Sequence, residues 1–207
     1  MRRLWGRANS SNVMKVIWLL EELHLPYERI DVGGPFGGND TATYRAMNPP
    51  GLVPTLQEDD FTLFESNAIL RYLAAAHSPQ STFWPQDAQT RATCDSWMDY
   101  QQTGLTRPQS TVFQGLIRTP PDKRDTKAIA RAVQDAGQIW TQVNTQLTGQ
   151  DYIAGPDITL CDFAWGVHVH RWFNMQIDRP DTPRLRAWYD RLLKRPAYAN
   201  HVAGPIT

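Results

Sequence analysis

Two cysteines in 207 residues are too few for a disulfide framework, and Cys94 and Cys161 stand far apart with no CxxC or Cys/His spacing. Neither a stapled fold nor a zinc site is indicated, so no metal is expected. An excess of one charge is also missing. Twenty-one basic side chains balance twenty-one acidic ones, which argues against nucleic acid or an anionic membrane surface as the main partner. No apolar run approaches the roughly 20 residues of a membrane span. The chain opens on Arg2 and Arg3 but has no apolar stretch of about 7–15 residues and no small-residue cleavage site, so it does not read as a secretory signal. A cytoplasmic protein is the expectation. Gly33, Gly34, Gly37 and Gly38 form a glycine-rich loop, but no Lys-Ser/Thr pair follows it, so a phosphate-cradling role is not supported.

What the sequence does contain is concentrated between Asn48 and Tyr72, NPPGLVPTLQEDDFTLFESNAILRY. A Pro/Gly turn leads to an apolar strand over Val53 to Leu56. Glu58-Asp59-Asp60 make a turn, Phe61 to Phe64 a second strand, and Glu65-Ser66-Asn67 open a helix. Pro54 has no N–H to give to a ladder, so it belongs at the mouth of a strand or on its edge. A cis bond there would turn the backbone of Val53 outward, with its N–H and C=O free for another chain. Ser66 is expected at the N-cap, beside unpaired helical N–H groups and the positive end of the dipole. Such a terminus suits a carboxylate. The two features describe a slot for a short peptide added as a strand, with its acid end on a helix tip.

Upstream, Leu4-Trp5 makes a first strand and Arg7 to Asn12 a polar turn. Val13, Val16, Ile17, Leu20 and Leu23 recur at helical spacing, with Lys15, Glu21 and Glu22 off that stripe. Tyr27 to Val32 alternates as a strand, so the opening is β-α-β with a right-handed crossover. A short helix runs from Asp40 or Thr41 to about Met47. The helix from Ser66 reaches about Ala76, and Ser78 to Pro85 breaks it. Beyond Asp87 no strand is evident. Helices are expected over Thr90 to Leu116, Asp125 to Leu147 and from Thr182 or Pro183 onward. Thr159 and Asp162 stand in a capping-box relation, with Ile158 as a staple residue before the cap. The chain thus divides into residues 1–79, a linker over 80–86, and an all-helical part over 87–207. The fold class is α/β followed by all-α.

The Val53-Pro54 pair, the hairpin and Glu65-Ser66 resemble the glutathione-binding half of the glutathione S-transferase superfamily, in its bacterial, serine/asparagine-type, theta/nu-like form. The capping box and the Arg195-Pro196-Ala197-Tyr198 ending extend the resemblance over essentially the whole chain. It implies an N-terminal thioredoxin-like domain followed by a C-terminal α-helical bundle domain. It also implies glutathione as co-substrate, an electrophilic and partly apolar small molecule as second substrate, and a homodimer. In the family the residue before the cis-proline pairs with the cysteinyl backbone of glutathione, and the Glu-Ser pair holds the γ-glutamyl end. The carry-over falls on Val53, Pro54, Glu65 and Ser66.

The thiol must be made a thiolate, and hydrogen-bond donors at a helix N-terminus acidify thiols. The position of the reactive cysteine in thioredoxin-like and omega-type relatives falls on Ser10, and that of a second cysteine on Val13. Ser10 therefore resembles the thiol-activating serine, with Asn12 as its rival and Ser11 within reach of the same alignment. All three also suit a helix cap, and one residue can serve both purposes. Leu52 stands where transferases commonly carry a lysine or arginine for the glycyl carboxylate, and Arg7, Lys15 or Arg45 are candidates to replace it. The resemblance places the electrophile between the domains, with Trp97, Tyr100, Gln101, Arg107, Phe113 and Trp172 as candidate contacts, although aromatics at helical spacing also make core. Two other readings stay open: a glutathione-dependent disulfide reductase, isomerase or dehalogenase on the same fold, and a non-catalytic assembly module.

Overall fold

A computed structural model describes all 207 residues, and its internal contacts divide the chain into Met1–Trp84 and Pro85–Thr207. The first unit runs β1 (Arg2–Trp5), α1 (Ser11–Glu22), β2 (Glu28–Ile30), α2 (Ala42–Met47), β3 (Thr55–Glu58), β4 (Phe61–Phe64) and α3 (Ser66–His77). The sheet order is β2-β1-β3-β4, with β1 and β2 parallel and the other pairs antiparallel. This is the thioredoxin-like arrangement, one β-α-β unit joined to a hairpin and a helix. The register sets Leu4 opposite Leu56, and both are buried with Val16, Leu20, Ile69, Leu70 and Leu73.

The expectations for the third strand and for Lys15 need correction. The third strand begins at Thr55 rather than Val53, because Pro54 has no N–H for the ladder. Lys15, expected off the apolar stripe, is only 1% exposed, and so are Trp18 and Leu19 buried. α1 is enclosed on more than one face, since α3 packs against it, and the lysine reaches Asn67 there.

The second unit is helical: α4 (Ala88–Tyr100), α5 (Thr106–Phe113), α6 (Thr126–Gln146), α7 (Leu160–Asn174), α8 (Pro183–Leu193) and α9 (Pro196–His201). The single long helix expected over Thr90 to Leu116 is interrupted by wider π turns at Gln101–Leu105 and Gln114–Arg118. Pro108 accounts for the first. It lacks an N–H and its ring would clash with the carbonyl four residues back, so the preceding turn opens.

Every residue of α7 from Leu160 to Trp172 is buried, and its start is fixed by Asp162. The Asp162 carboxylate accepts from the Thr159 N–H at 2.9 Å, the Ile153 N–H at 3.1 Å and Trp188 Nε1 at 3.0 Å. The capping box is thus present with aspartate in place of the usual glutamate. Thr159→Ala should lower stability by about 0.5–2 kcal/mol, measured by denaturant unfolding. Cys94 and Cys161, distant in sequence, meet at this same helix start. Both are free, and the Cys161 N–H points at Cys94 Sγ at 3.3 Å.

Candidate functional site

The start of α1 carries the candidate thiol-activating residues. Ser10 is the N-cap, with extended backbone at φ −81° and ψ 125°, and its carbonyl accepts from the Met14 N–H at 2.8 Å. Its side chain makes no capping hydrogen bond, so the hydroxyl is not consumed by the helix. Ser10 is 9% exposed, and Ser11 and Asn12 are half-buried in the first turn. The first N–H groups of any helix lack intrahelical partners, so unspent donors gather at this point.

Val53 approaches the same turn. A Cβ built on Gly6 would lie 2.5 Å from Val13 Cγ2 and 3.3 Å from Val53 Cβ. Only glycine fits where the β1–α1 turn, α1 and the Val53 segment converge. The Val53–Pro54 bond is cis. The ladder starts beyond it, and no backbone hydrogen bond engages Val53. The residue before it is pinned instead: the Leu52 carbonyl accepts from the Tyr44 hydroxyl at 2.6 Å and from Asn48 Nδ2 at 2.7 Å. Asn48 Nδ2 also reaches the Thr55 hydroxyl at 2.9 Å. A buried side-chain network therefore holds the turn while leaving the Val53 backbone available.

At the α3 end, Ser66 is not the N-cap. It is the first residue inside the helix, and Glu65 takes the cap position with φ 71° and ψ 111°. A glutamate at positive φ carries local strain of roughly 1–3 kcal/mol, the kind that surrounding structure must impose. The arrangement puts the Ser66 N–H and hydroxyl at the helix tip.

Of the three candidates to replace a basic residue at Leu52, Lys15 is turned inward to Asn67 at 3.4 Å. Arg45 Nη1 donates to the Pro49 carbonyl at 3.2 Å. Arg7 lies over the Gly33-Gly34 turn, where a Cβ on Gly34 would meet its Cδ at 3.1 Å. Leu52 itself is 63% exposed.

The candidate electrophile contacts separate by exposure. Trp172 at 0% and Phe113 at 2% are core residues of the helical unit, and the Arg171 guanidinium covers the Phe113 ring at 4.0 Å. This takes both out of the expected pocket. Their helical spacing reflects packing. Gln101 is likewise buried, with its amide nitrogen on the Thr106 hydroxyl. Trp97 and Tyr100 keep accessible surface and meet Trp165 edge-on and at a tilt, respectively. Arg107 is exposed in a groove of about 510 Å³ with Arg131 and Asp135. No group of three or more His, Cys, Asp or Glu side chains is placed to hold a metal ion.

A strand-helix sheet unit with an unspent cap hydroxyl, an unengaged backbone before a cis-proline and a serine at a second helix tip, followed by a helical bundle, matches the arrangement that the resemblance to glutathione transferases implies. Family models agree, with "Glutathione S-transferase, N-terminal domain" matching residues 9–76 and "Glutathione S-transferase, C-terminal domain" residues 126–191. Glutathione S-transferase GstB of Escherichia coli is 39% identical over the full length of both chains. Glutathione S-transferase F13 of Arabidopsis thaliana is 29% identical over 95% of this chain and 92% of its own. Among solved structures, the theta class glutathione S-transferase from Xanthomonas axonopodis pv. citri with glutathione bound superposes with a TM-score of 0.96. It is 44% identical, covering 100% of this chain and 99% of that one. The chain belongs to the glutathione S-transferase family.

Proposed function

We propose that the protein is a glutathione transferase that joins the glutathione thiolate to an electrophilic, partly apolar small molecule. The observation that carries the reading is the convergence at Gly6 of the side chains of Val53, whose backbone is free of the sheet, and of Val13 in the first turn of α1, the helix capped by Ser10 with its hydroxyl unspent. In this reading Val53 N–H and C=O pair with the cysteinyl backbone as an added strand. Ser66 receives the γ-glutamyl α-carboxylate at the tip of α3, and the Glu65 carboxylate pairs with the α-ammonium group of the same residue. The Ser10 hydroxyl donates to the sulfur, with Asn12 and Ser11 as neighbouring donors, and the dipole of α1 adds positive potential. The thiol comes from glutathione, since neither cysteine of the chain lies in the first unit. Trp97, Tyr100 and Arg107 are assigned to the electrophile because they keep accessible surface.

A homodimer belongs to the same proposal, and Phe36, Leu52 and Phe61 give the first unit exposed apolar surface for it. No helix is long and apolar enough to cross a membrane.

The test is an ultraviolet difference titration of glutathione on the protein, following thiolate absorbance against pH. Free thiols ionise near pH 8.5, and the bound thiol is expected to ionise about 1–2 units lower, in proportion to the donors aimed at it. Glutathione bound with an unshifted thiol would refute the transferase assignment in favour of a binding role, and no binding at saturating ligand would point to an assembly module.

A further inference from the structure

Lys15 stands apart from the machinery described so far. It sits on α1 among apolar side chains, 1% exposed, with Nζ 3.4 Å from Asn67 Oδ1 on α3. Burial lowers its ammonium pKa to about 7, and the Glu65 carboxylate acts in the opposite direction. A buried charge is seldom the cheapest way to fill such a position. Replacing it with an apolar side chain of similar volume is commonly neutral or stabilising. A lysine kept here is therefore better explained by what it holds than by the stability it supplies. What it holds is the opening of α3: Asn67 lies one residue beyond Ser66, and Glu65 is the residue at φ 71° whose conformation its surroundings must impose.

We infer that Lys15 is a positioning residue for the γ-glutamyl end of glutathione, fixing Glu65 and Asn67 so that the α3 turn presents Ser66 to the ligand. The inference rests on the glutathione reading above. It ties the helix that carries the thiol-activating hydroxyl to the helix that carries the carboxylate site, so that the cysteinyl thiol and the γ-glutamyl end of one tripeptide are measured from a common post. It also removes Lys15 from the candidates for the glycyl carboxylate, since its Nζ points to the opposite end of the ligand slot.

The experiment compares glutathione with cysteinylglycine, which lacks the γ-glutamyl group, on the full chain and on Lys15→Met. The variant is expected to raise KM for glutathione about tenfold, the scale of one lost charge-assisted hydrogen bond. Its kcat should change less than twofold, and its thermal midpoint should be equal or higher. The advantage of glutathione over cysteinylglycine should shrink by the same factor, and Lys15→Arg should recover most of it. Unchanged KM, or equal weakening of the two ligands, would make Lys15 a merely structural residue and overturn the inference. If Lys15→Met does not fold, Asn67→Ala removes the same link from the other side and must show the same selective loss. Wild-type protein that binds neither ligand would overturn the glutathione reading and this inference with it. Wild-type protein that prefers glutathione while the variant keeps that preference would overturn this inference alone.

Discussion

Ser10→Ala is expected to lower turnover with a chloronitroaromatic electrophile by about 10–100-fold, because a hydrogen bond to a charged group contributes roughly 1.5–3 kcal/mol. The same loss should appear as a rise of about 1–2 units in the pKa of the bound thiol. Stability is the discriminating readout. An N-cap serine that holds its helix costs about 0.5–2 kcal/mol when removed. The Ser10 side chain makes no capping bond, so the variant should unfold within about 0.5 kcal/mol of wild type, since neither a cap nor a buried hydrogen bond is lost. Activity lost without stability would assign the hydroxyl to chemistry. Stability lost in step with activity would assign it to the cap. Asn12→Ala is the control: if it produces the larger rise in thiol pKa, the donor is Asn12 and the serine is secondary.

The parts of this site that the sequence reveals are those with local causes. Pro54 announces a strand mouth because it lacks a donor, and the alternation over Phe61–Phe64 and the helical stripe after Val13 announce the hairpin and α1. The bundle's capping box follows from Thr159 and Asp162 at the right spacing. What is hidden depends on neighbours distant in the chain. Nothing in Glu65-Ser66-Asn67 says that Glu65 takes positive φ and moves the cap back by one residue. Polarity alone put Lys15 outside, whereas the acceptor that lets it stay inside is Asn67, 52 residues away. Trp172 and Phe113 fit a substrate pocket by type, and only the packing around α7 makes them core. Gly6 gave no signal of its own, although the convergence of Val13 and Val53 over it is what brings the site together.

Asp162→Ala should produce the largest loss of stability of any single substitution considered. The carboxylate is fully buried and accepts from two backbone N–H groups and the Trp188 indole. Alanine orphans all three, and breaking a buried charged network by removing one partner costs about 3–5 kcal/mol. For a chain of this size that corresponds to a fall of roughly 10–15 °C in thermal midpoint. Asp162→Asn keeps one acceptor oxygen but turns an amide N–H₂ toward a donor, so it should fall between wild type and alanine. The pH dependence of that difference is a sharper test. Burial raises the Asp162 pKa from 3.8 to about 6, against the opposing hydrogen bonds from Thr159, Ile153 and Trp188. Between about pH 6 and pH 4 the folded state therefore binds a proton that the unfolded chain does not, and stability from this group rises as pH falls through that window. Glu58, Asp59 and Asp87 have lowered values and act in the opposite direction, so the raw midpoint of wild type conceals the effect. Subtracting Asp162→Asn, which cannot titrate, isolates it. The gap between the two proteins should widen on going from pH 7 to pH 4.5. A gap that narrows would mean that the three donors outweigh burial and hold Asp162 ionised below its ordinary range.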